Sequence, residues 1–159
     1  MRPGFLAGLV VAASALTSEG PPQPVAFSHR VHREKAGLGC DFCHPGAAKG
    51  DAATLPPVDL CLSCHRFVRT DSVEVAKLAS AAAKGESIAW VPVYRVPDYV
   101  FFGHAPHVKA GLECASCHGP VATRDVLERE VSTSMATCLD CHRKKAAPQT
   151  CVACHQLGH

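Results

Sequence analysis

The strongest constraint on the fold is the motif Cys-x-x-Cys-His, which this chain of 159 residues contains five times. Residues i, i+3 and i+4 lie on one face of a helical turn, so two thiols and one imidazole point in the same direction. With this spacing the thiols can bond to two vinyl groups of a porphyrin while the imidazole reaches the iron, and it is the attachment signal of c-type haem. The repetition therefore predicts five covalently bound haem c groups.

The predicted haem-binding residues use all ten cysteines of the chain. The covalent attachment residues are Cys40, Cys43, Cys61, Cys64, Cys114, Cys117, Cys138, Cys141, Cys151 and Cys154. The proximal iron ligands, each directly after the second cysteine of a motif, are His44, His65, His118, His142 and His155. No residue is predicted to be catalytic.

Zinc binding and disulfide bonding are the alternative uses of paired cysteines. A structural zinc site takes four ligands, hence two Cys-x-x-Cys units, and five units would leave one unpaired. Zinc also has no need of a histidine after every second cysteine. A disulfide framework suits an exported chain with an even number of cysteines, but it too leaves the five histidines unexplained. Haem attachment accounts for every invariant residue of the motif.

The first residues have the composition of an export signal. Arg2 precedes a nearly continuous apolar run over residues 5–16, and residues 13–15 (Ala-Ser-Ala) suit cleavage. The run is about a dozen residues long, short of the ~20 that a membrane span needs. We interpret residues 1–17 as a signal peptide, with an uncleaved anchor as the alternative. Export predicts a periplasmic or extracytoplasmic protein, with membrane association through the N-terminus or a partner.

Composition limits both the class of partner and the kind of core. The formal net charge of +2 gives no support for nucleic-acid binding. Without the leader, about 140 residues remain for five haems, which is too little chain for a conventional helical pocket around each. The haems would therefore form most of the core, and folding would depend on their attachment. The predicted fold is small and mostly irregular, with short α-helices around covalently bound haems.

An internal repeat divides the chain into modules. Phe-x-His-x-x-His begins at Phe27 and again at Phe102, and each copy precedes Lys-Ala-Gly-Leu-x-Cys-x-x-Cys-His. The first copy leads to one further motif, and the second copy leads to two. The repeat therefore predicts three parts, which are a two-haem module, a connector and a three-haem module at residues 18–70, 71–101 and 102–159.

Capping residues and apolar spacing predict three short helices. Asp71 or Ser72 can cap the helix of the connector, which Gly85 would end, and Ser132 or Thr133 can cap the helix around the fourth motif. The predicted helices cover residues 57–66, 73–84 and 133–144.

An aromatic segment follows the connector helix. Residues 88–102 carry five aromatic side chains and two prolines, which favours an extended segment over a central strand. We expect it to pack across a haem face or the module junction, and a docking strip for a partner protein is the alternative.

The histidines outside the motifs equal the irons in number. They are His29, His32, His104, His107 and His159. Four of them form His-x-x-His pairs just before a motif, so we predict that they are distal iron ligands. His159, the last residue of the chain, is the fifth candidate. Met135 competes with it, because Met/His ligation also occurs in c-type cytochromes, but packing of this side chain on a haem is the favoured interpretation.

Each His-x-x-His pair should serve two haems, because two rings three residues apart cannot both reach the same face of one iron. We assign His29 to the haem at Cys40 and Cys43. The corresponding residue of the second pair, His104, is assigned to the haem of the third motif. The sequence does not show which haems His32 and His107 serve.

Residues 27–32 ahead of Cys40, Phe-Ser-His-Arg-Val-His, resemble the opening of class III multihaem cytochromes c. In that family the first histidine of the pair ligates the adjoining haem and the second a more distant one. The resemblance covers residues 27–155. Two motifs, an aromatic segment at residues 90–102 and three further motifs are similar to the pentahaem subunit of alternative complex III and related respiratory complexes. The resemblance implies redox partners in a membrane-bound respiratory complex.

Electron transfer without substrate chemistry is the predicted function, because six-coordinate iron has no open position for a substrate. The chain is then not an enzyme by itself. A multihaem reductase is the first alternative, and its open iron would be the one that lacks His159. A subunit of a haem filament is the second alternative, in which His159 or His32 is donated across an interface.

Overall fold

Short helices joined by irregular segments make up the structure, a computed structural model that describes residues 20–155. The α-helices within this range are α1 His29–Ala36, α2 Cys40–Cys43, α3 Val58–His65, α4 Val73–Lys84, α5 His104–Lys109, α6 Ala115–His118 and α7 Met135–Lys144. Three 3₁₀ turns accompany them at Pro45–Ala48, Val121–Thr123 and Cys151–Ala153. The described residues contain no strand, so the predicted fold class is confirmed. The predicted signal peptide at residues 1–17 and the candidate ligand His159 lie outside the described residues.

Helix α4 forms where the sequence predicts it. The Ser72 hydroxyl accepts a hydrogen bond from the Glu74 amide at 3.3 Å, which caps the first turn. Gly85 ends the helix with a φ of 67°, a left-handed conformation that glycine adopts without strain. Its buried residues Val75, Leu78 and Ala81 are spaced by three positions and so lie along one face.

The other two predicted helices also form, with one correction at a terminus. Helix α3 lies within the predicted range. The N-cap of α7 is Ser134, whose hydroxyl accepts from the Thr137 amide at 3.3 Å, and not Ser132 or Thr133. The Ser132 hydroxyl instead accepts from the Ser134 amide at 3.2 Å, so it orders the turn before the helix.

The apolar core of the described residues is small. It lies between α3 and α4, where Val25, Val58, Leu62, Leu78 and Ala81 pack together. Trp90 of the aromatic segment packs against this cluster and is partly buried. No side chain within residues 20–155 is less than 2% exposed. A chain of this length ordinarily buries much more of its surface, so the protein chain alone does not supply the core.

The two sequence repeats interlock. Helix α1 of the first repeat docks on the segment after the third motif, where the Arg30 amide donates to Arg124 O at 3.0 Å and its guanidinium pairs with Asp125 at 2.9 Å. Helix α5 of the second repeat docks on the loop after the first motif, where the Ala105 amide donates to Gly50 O at 2.9 Å. Each helix that carries a histidine pair is therefore held by the other repeat.

Within residues 20–155, every helix is too short or too polar to cross a membrane.

Candidate haem-attachment and iron-ligand sites

The five motifs adopt tight helical turns, as their spacing predicts. Four of them coincide with α2, α3, α6 and α7 or their caps, and the fifth is the 3₁₀ turn Cys151–Ala153. Even there the His155 amide donates to Cys151 O at 2.8 Å, which closes an α-type turn. Seven of the ten thiols are exposed, and the other three are half-buried. The thiols are therefore accessible to a prosthetic group on the surface of each turn.

Histidine rings from different parts of the chain face each other in pairs. The ring centroids of His32 and His65 are 6.0 Å apart. Those of His104 and His118 are 6.3 Å apart, with planes only 5° from parallel. Those of the third pair, His107 and His142, are 6.0 Å apart. Each pair combines a predicted distal ligand with a predicted proximal ligand.

The predicted distal ligand His29 lies near the proximal candidate His44. Burial, followed by the neighbouring rings of His44 and His32, lowers the pKa of His29 to about 4. Burial also lowers the pKa of His118, followed by its neighbours His104 and His44. A histidine must be neutral to bind a metal, so these lowered pKa values favour the ligand form.

The spacing of the facing rings fits a bound iron. With a metal–nitrogen distance of about 2 Å, as in zinc-bound histidine, two rings on opposite sides of one metal ion have centroids about 6 Å apart. The three measured centroid distances, 6.0 to 6.3 Å, agree with this value. Rings in direct stacking contact would lie closer, as Phe27 and His32 do at 4.2 Å.

Backbone carbonyls set the tautomer of seven of these histidines. A carbonyl oxygen only accepts, so an Nδ1 atom bonded to it carries the proton, and Nε2 keeps the lone pair that binds metal. The Nδ1–O distances are 2.7 Å for His44–Thr54, 3.0 Å for His65–Val68, 2.6 Å for His142–Pro148, 3.1 Å for His155–Tyr99, 2.8 Å for His32–Ser28, 2.6 Å for His104–Asp51 and 2.7 Å for His107–Gly103. This donor set fits haem iron. Sequence reasoning could not find these partners, because every residue has a carbonyl.

Phe27 and Phe102 hold the two histidine pairs in the same way. Phe27 meets the edge of His29 at 4.8 Å and stacks on His32 at 4.2 Å. Phe102 meets His104 at 4.8 Å edge-on and stacks on the second ring of its pair at 4.8 Å. In each pair, one phenylalanine ring contacts both imidazoles and so fixes the angle between them.

The cysteines are unpaired in the structure, where all ten are free thiols. Among the described residues no group of three or more His, Cys, Asp or Glu side chains is arranged to hold a lone metal ion.

For the fifth motif the structure describes the proximal candidate His155, whereas the distal candidate His159 lies outside the described residues. Val100 and His155 form an isolated antiparallel bridge, and the Phe101 amide donates to Cys154 O at 2.7 Å, so the aromatic segment covers this motif. The competing ligand Met135 is 62% exposed at the start of α7. Ligation of this iron by His159 or Met135 stays a prediction.

Tyr94 of the aromatic segment supports the third motif. Its ring lies edge-on to His118 at 4.7 Å, and its hydroxyl accepts from the amides of Glu130 and Val131 at 3.1 and 3.2 Å. This contact agrees with the predicted packing role of the segment.

Replacement of Tyr94 by Phe is expected to lower the free energy of unfolding of the holoprotein by about 1–3 kcal/mol, because two backbone amides lose their acceptor. Thermal unfolding measures the loss. Tyr99→Phe is the matched control, because Tyr99 is 69% exposed and its hydroxyl has no hydrogen-bond partner within residues 20–155. Equal stability of the two variants would contradict the assigned role of the Tyr94 hydroxyl.

Gly46 is expected to be essential for the turn that positions His44. A Cβ atom at residue 46 would lie 2.5 Å from Ala52 O and 2.6 Å from the Thr54 side chain. Gly46→Ala should therefore displace the Thr54 carbonyl that accepts from His44 and cost about 1–3 kcal/mol in thermal unfolding. The control is Gly50→Ala, where a Cβ meets nothing within 4 Å and stability should change little. A neutral Gly46→Ala would refute this account of the turn.

Comparison with known proteins agrees with this geometry. Residues 100–156 match the family described as cytochrome c7 and related cytochrome c. Over 122 residues the chain is 35% identical to the menaquinone reductase multiheme cytochrome c subunit of Nitratidesulfovibrio vulgaris. That alignment covers 72% of this chain and 57% of the relative, so the chain spans little more than half the length of the relative.

Proposed function

We propose that the chain is a multihaem c-type cytochrome and that it serves as a periplasmic pentahaem electron carrier for a membrane respiratory complex. The observation that carries the proposal is the set of facing histidine pairs. Three of the five motif histidines face a second histidine at 6.0 to 6.3 Å between ring centroids, and a fourth, His44, is close enough to His29 to lower its pKa.

We assign the axial ligands from these pairs. Haem c bound at such sites supplies reversible one-electron exchange at iron. In the order of the first four motifs, the ligand sets are His29 with His44, His32 with His65, His104 with His118 and His107 with His142. The fifth set is His155 with His159. Two imidazoles per iron leave no position for a substrate, so the chain positions and tunes its cofactors and performs no catalysis of its own.

The carbonyl partners of the ligands serve this positioning. A proton held on Nδ1 makes the opposite nitrogen more basic and fixes the plane of the ring. The His104–His118 planes are parallel within 5°, whereas the His32–His65 planes cross at 62°. The chain therefore gives different ligand orientations to different irons.

The proposed partners are other redox proteins of a quinone-linked complex. The similar protein of N. vulgaris is named a subunit of a menaquinone reductase, which supports a role for this chain as a subunit of such a complex or as its electron donor or acceptor. Covalent haem attachment to ten reduced thiols, together with the apolar leader, supports the extracytoplasmic location.

Spectroscopy of the purified holoprotein tests the proposal. Intact mass should show five haems on one chain, and electron paramagnetic resonance should show low-spin ferric iron at all five sites. Binding of carbon monoxide or nitrite should be absent. A high-spin ferric signal or binding of either ligand would overturn the carrier and favour the reductase with an open iron.

A further inference from the structure

We infer that the five haem-attachment motifs are ordered in space as second, first, third, fourth and fifth, so that the second and fifth motifs form the two ends of the electron path. The inference depends on the proposed function only where it treats the row of motifs as a path for electrons. The order itself follows from contacts of the helices and loops that flank the motifs, and each consecutive pair of the row is joined by a separate segment.

The second motif joins the first. Helix α1 leads directly into the first motif, because its C-cap Gly37 lies three residues before Cys40. The same helix places the ring of His32 opposite His65 of the second motif, at 6.0 Å between centroids. The first and second motifs must therefore be neighbours.

The first motif joins the third across the two repeats. Helix α5 docks on the loop that follows the first motif, where the amides of His104 and Ala105 donate to Asp51 O at 3.2 Å and to Gly50 O at 2.9 Å. The ring of His104 also faces His118 of the third motif at 6.3 Å between centroids.

The third motif is adjacent to the fourth, because one helix carries a histidine for each of them. Helix α5 places His104 opposite the third motif and His107 opposite the fourth.

The fourth motif joins the fifth through a short loop. Only eight residues separate His142 from Cys151, and within them Pro148 O accepts a hydrogen bond from His142 Nδ1 at 2.6 Å. The loop between these motifs turns back on α7, where the Ala147 amide donates to His142 O at 2.9 Å. A connection of so few residues keeps the two sites side by side.

The physical reason for this order is the interlocking of the repeats. Because α1 and α5 each dock on the segment after the first motif of the other repeat, the leading motifs of both repeats meet at the centre. The second motif then lies on the outer side of α1, and the fourth motif lies on the outer side of α5. The fifth motif has no counterpart in the first repeat and extends the row on one side.

A crystal structure of the holoprotein, with the irons located by anomalous scattering, tests the order directly. The iron of the second motif should have one near neighbour, that of the first motif, and the irons of the first and third motifs should be adjacent. A second-motif iron nearest to the third would overturn the inference. Iron positions do not depend on spin state, so this result is separate from failure of the proposed carrier function.

Two ligand variants test the order in solution. A Met in place of a distal His raises the reduction potential of its haem, which then takes up an electron first. The added charge lowers the potentials of near neighbours. In spectroelectrochemical titrations, His32→Met should lower the potential of one other haem and His107→Met should lower two. Two lowered potentials in His32→Met would favour the order of the sequence and contradict the inference.

Discussion

A chain whose ten motif cysteines are all replaced by serine is expected to have no cooperative thermal unfolding transition. Only seven hydrophobic side chains between residues 20 and 155 are 9% exposed or less. Burial of a Val or Leu side chain contributes about 1.5–3 kcal/mol. Ordering each residue of the chain costs about 1–2 kcal/mol. The few buried side chains cannot offset the ordering of the whole chain, so the attached haems must supply the remaining core.

Near-ultraviolet circular dichroism and limited proteolysis measure this loss. The control removes only the fifth attachment, through Cys151→Ser with Cys154→Ser. That motif is a single 3₁₀ turn, and it contributes no residue to the cluster between α3 and α4. The control chain should carry four haems and still unfold cooperatively. A cooperative transition in the chain without any attachment cysteine would show that the protein residues alone form a sufficient core.

His104→Ala is expected to convert one haem of five to a high-spin state that binds carbon monoxide. His104 is the residue that faces His118 at 6.3 Å, and loss of its imidazole leaves the iron of the third motif with one axial ligand. About one fifth of the haem absorbance should therefore respond to carbon monoxide. The half-buried surroundings of the site do not provide another histidine to that face, because His107 is directed to His142.

His104→Met is the matched control for this variant. Both variants lose the contact of His104 Nδ1 with Asp51 O, so any loosening of the loop is common to them. Methionine restores a sixth ligand, so the haem should stay low-spin with a higher reduction potential than in the wild type. If His104→Ala stays fully low-spin and does not bind carbon monoxide, His104 is not the ligand opposite His118.

Particular residues show how far sequence reasoning reached. The bounds of α4 and its caps, Ser72 and Gly85, were predictable because local hydrogen bonds and φ preferences determine them. The N-cap of α7 was not, because Ser132, Thr133 and Ser134 are all suitable residue types. Only the observed backbone path decides that Ser134 bonds to Thr137.

The proposed iron ligands divide in the same way. The proximal histidines are local to their motifs, so spacing alone identifies them as candidates. The partners of His32 and His107 could not be assigned from the sequence, because the facing residues His65 and His142 are more than thirty positions away. Their assignment required the direction in which α1 and α5 leave the interlocked repeats.

The sequence by itself determined the chemistry: five attachment motifs, the helical turns that carry them, and the repeated histidine pairs. These features depend on contacts within a few residues, which spacing encodes. Only the tertiary structure decided which histidines face each other and which motifs are adjacent. The physical reason is that α1 and α5 each form their docking contacts with the other repeat, and pairing between distant segments leaves no periodic signal in the sequence.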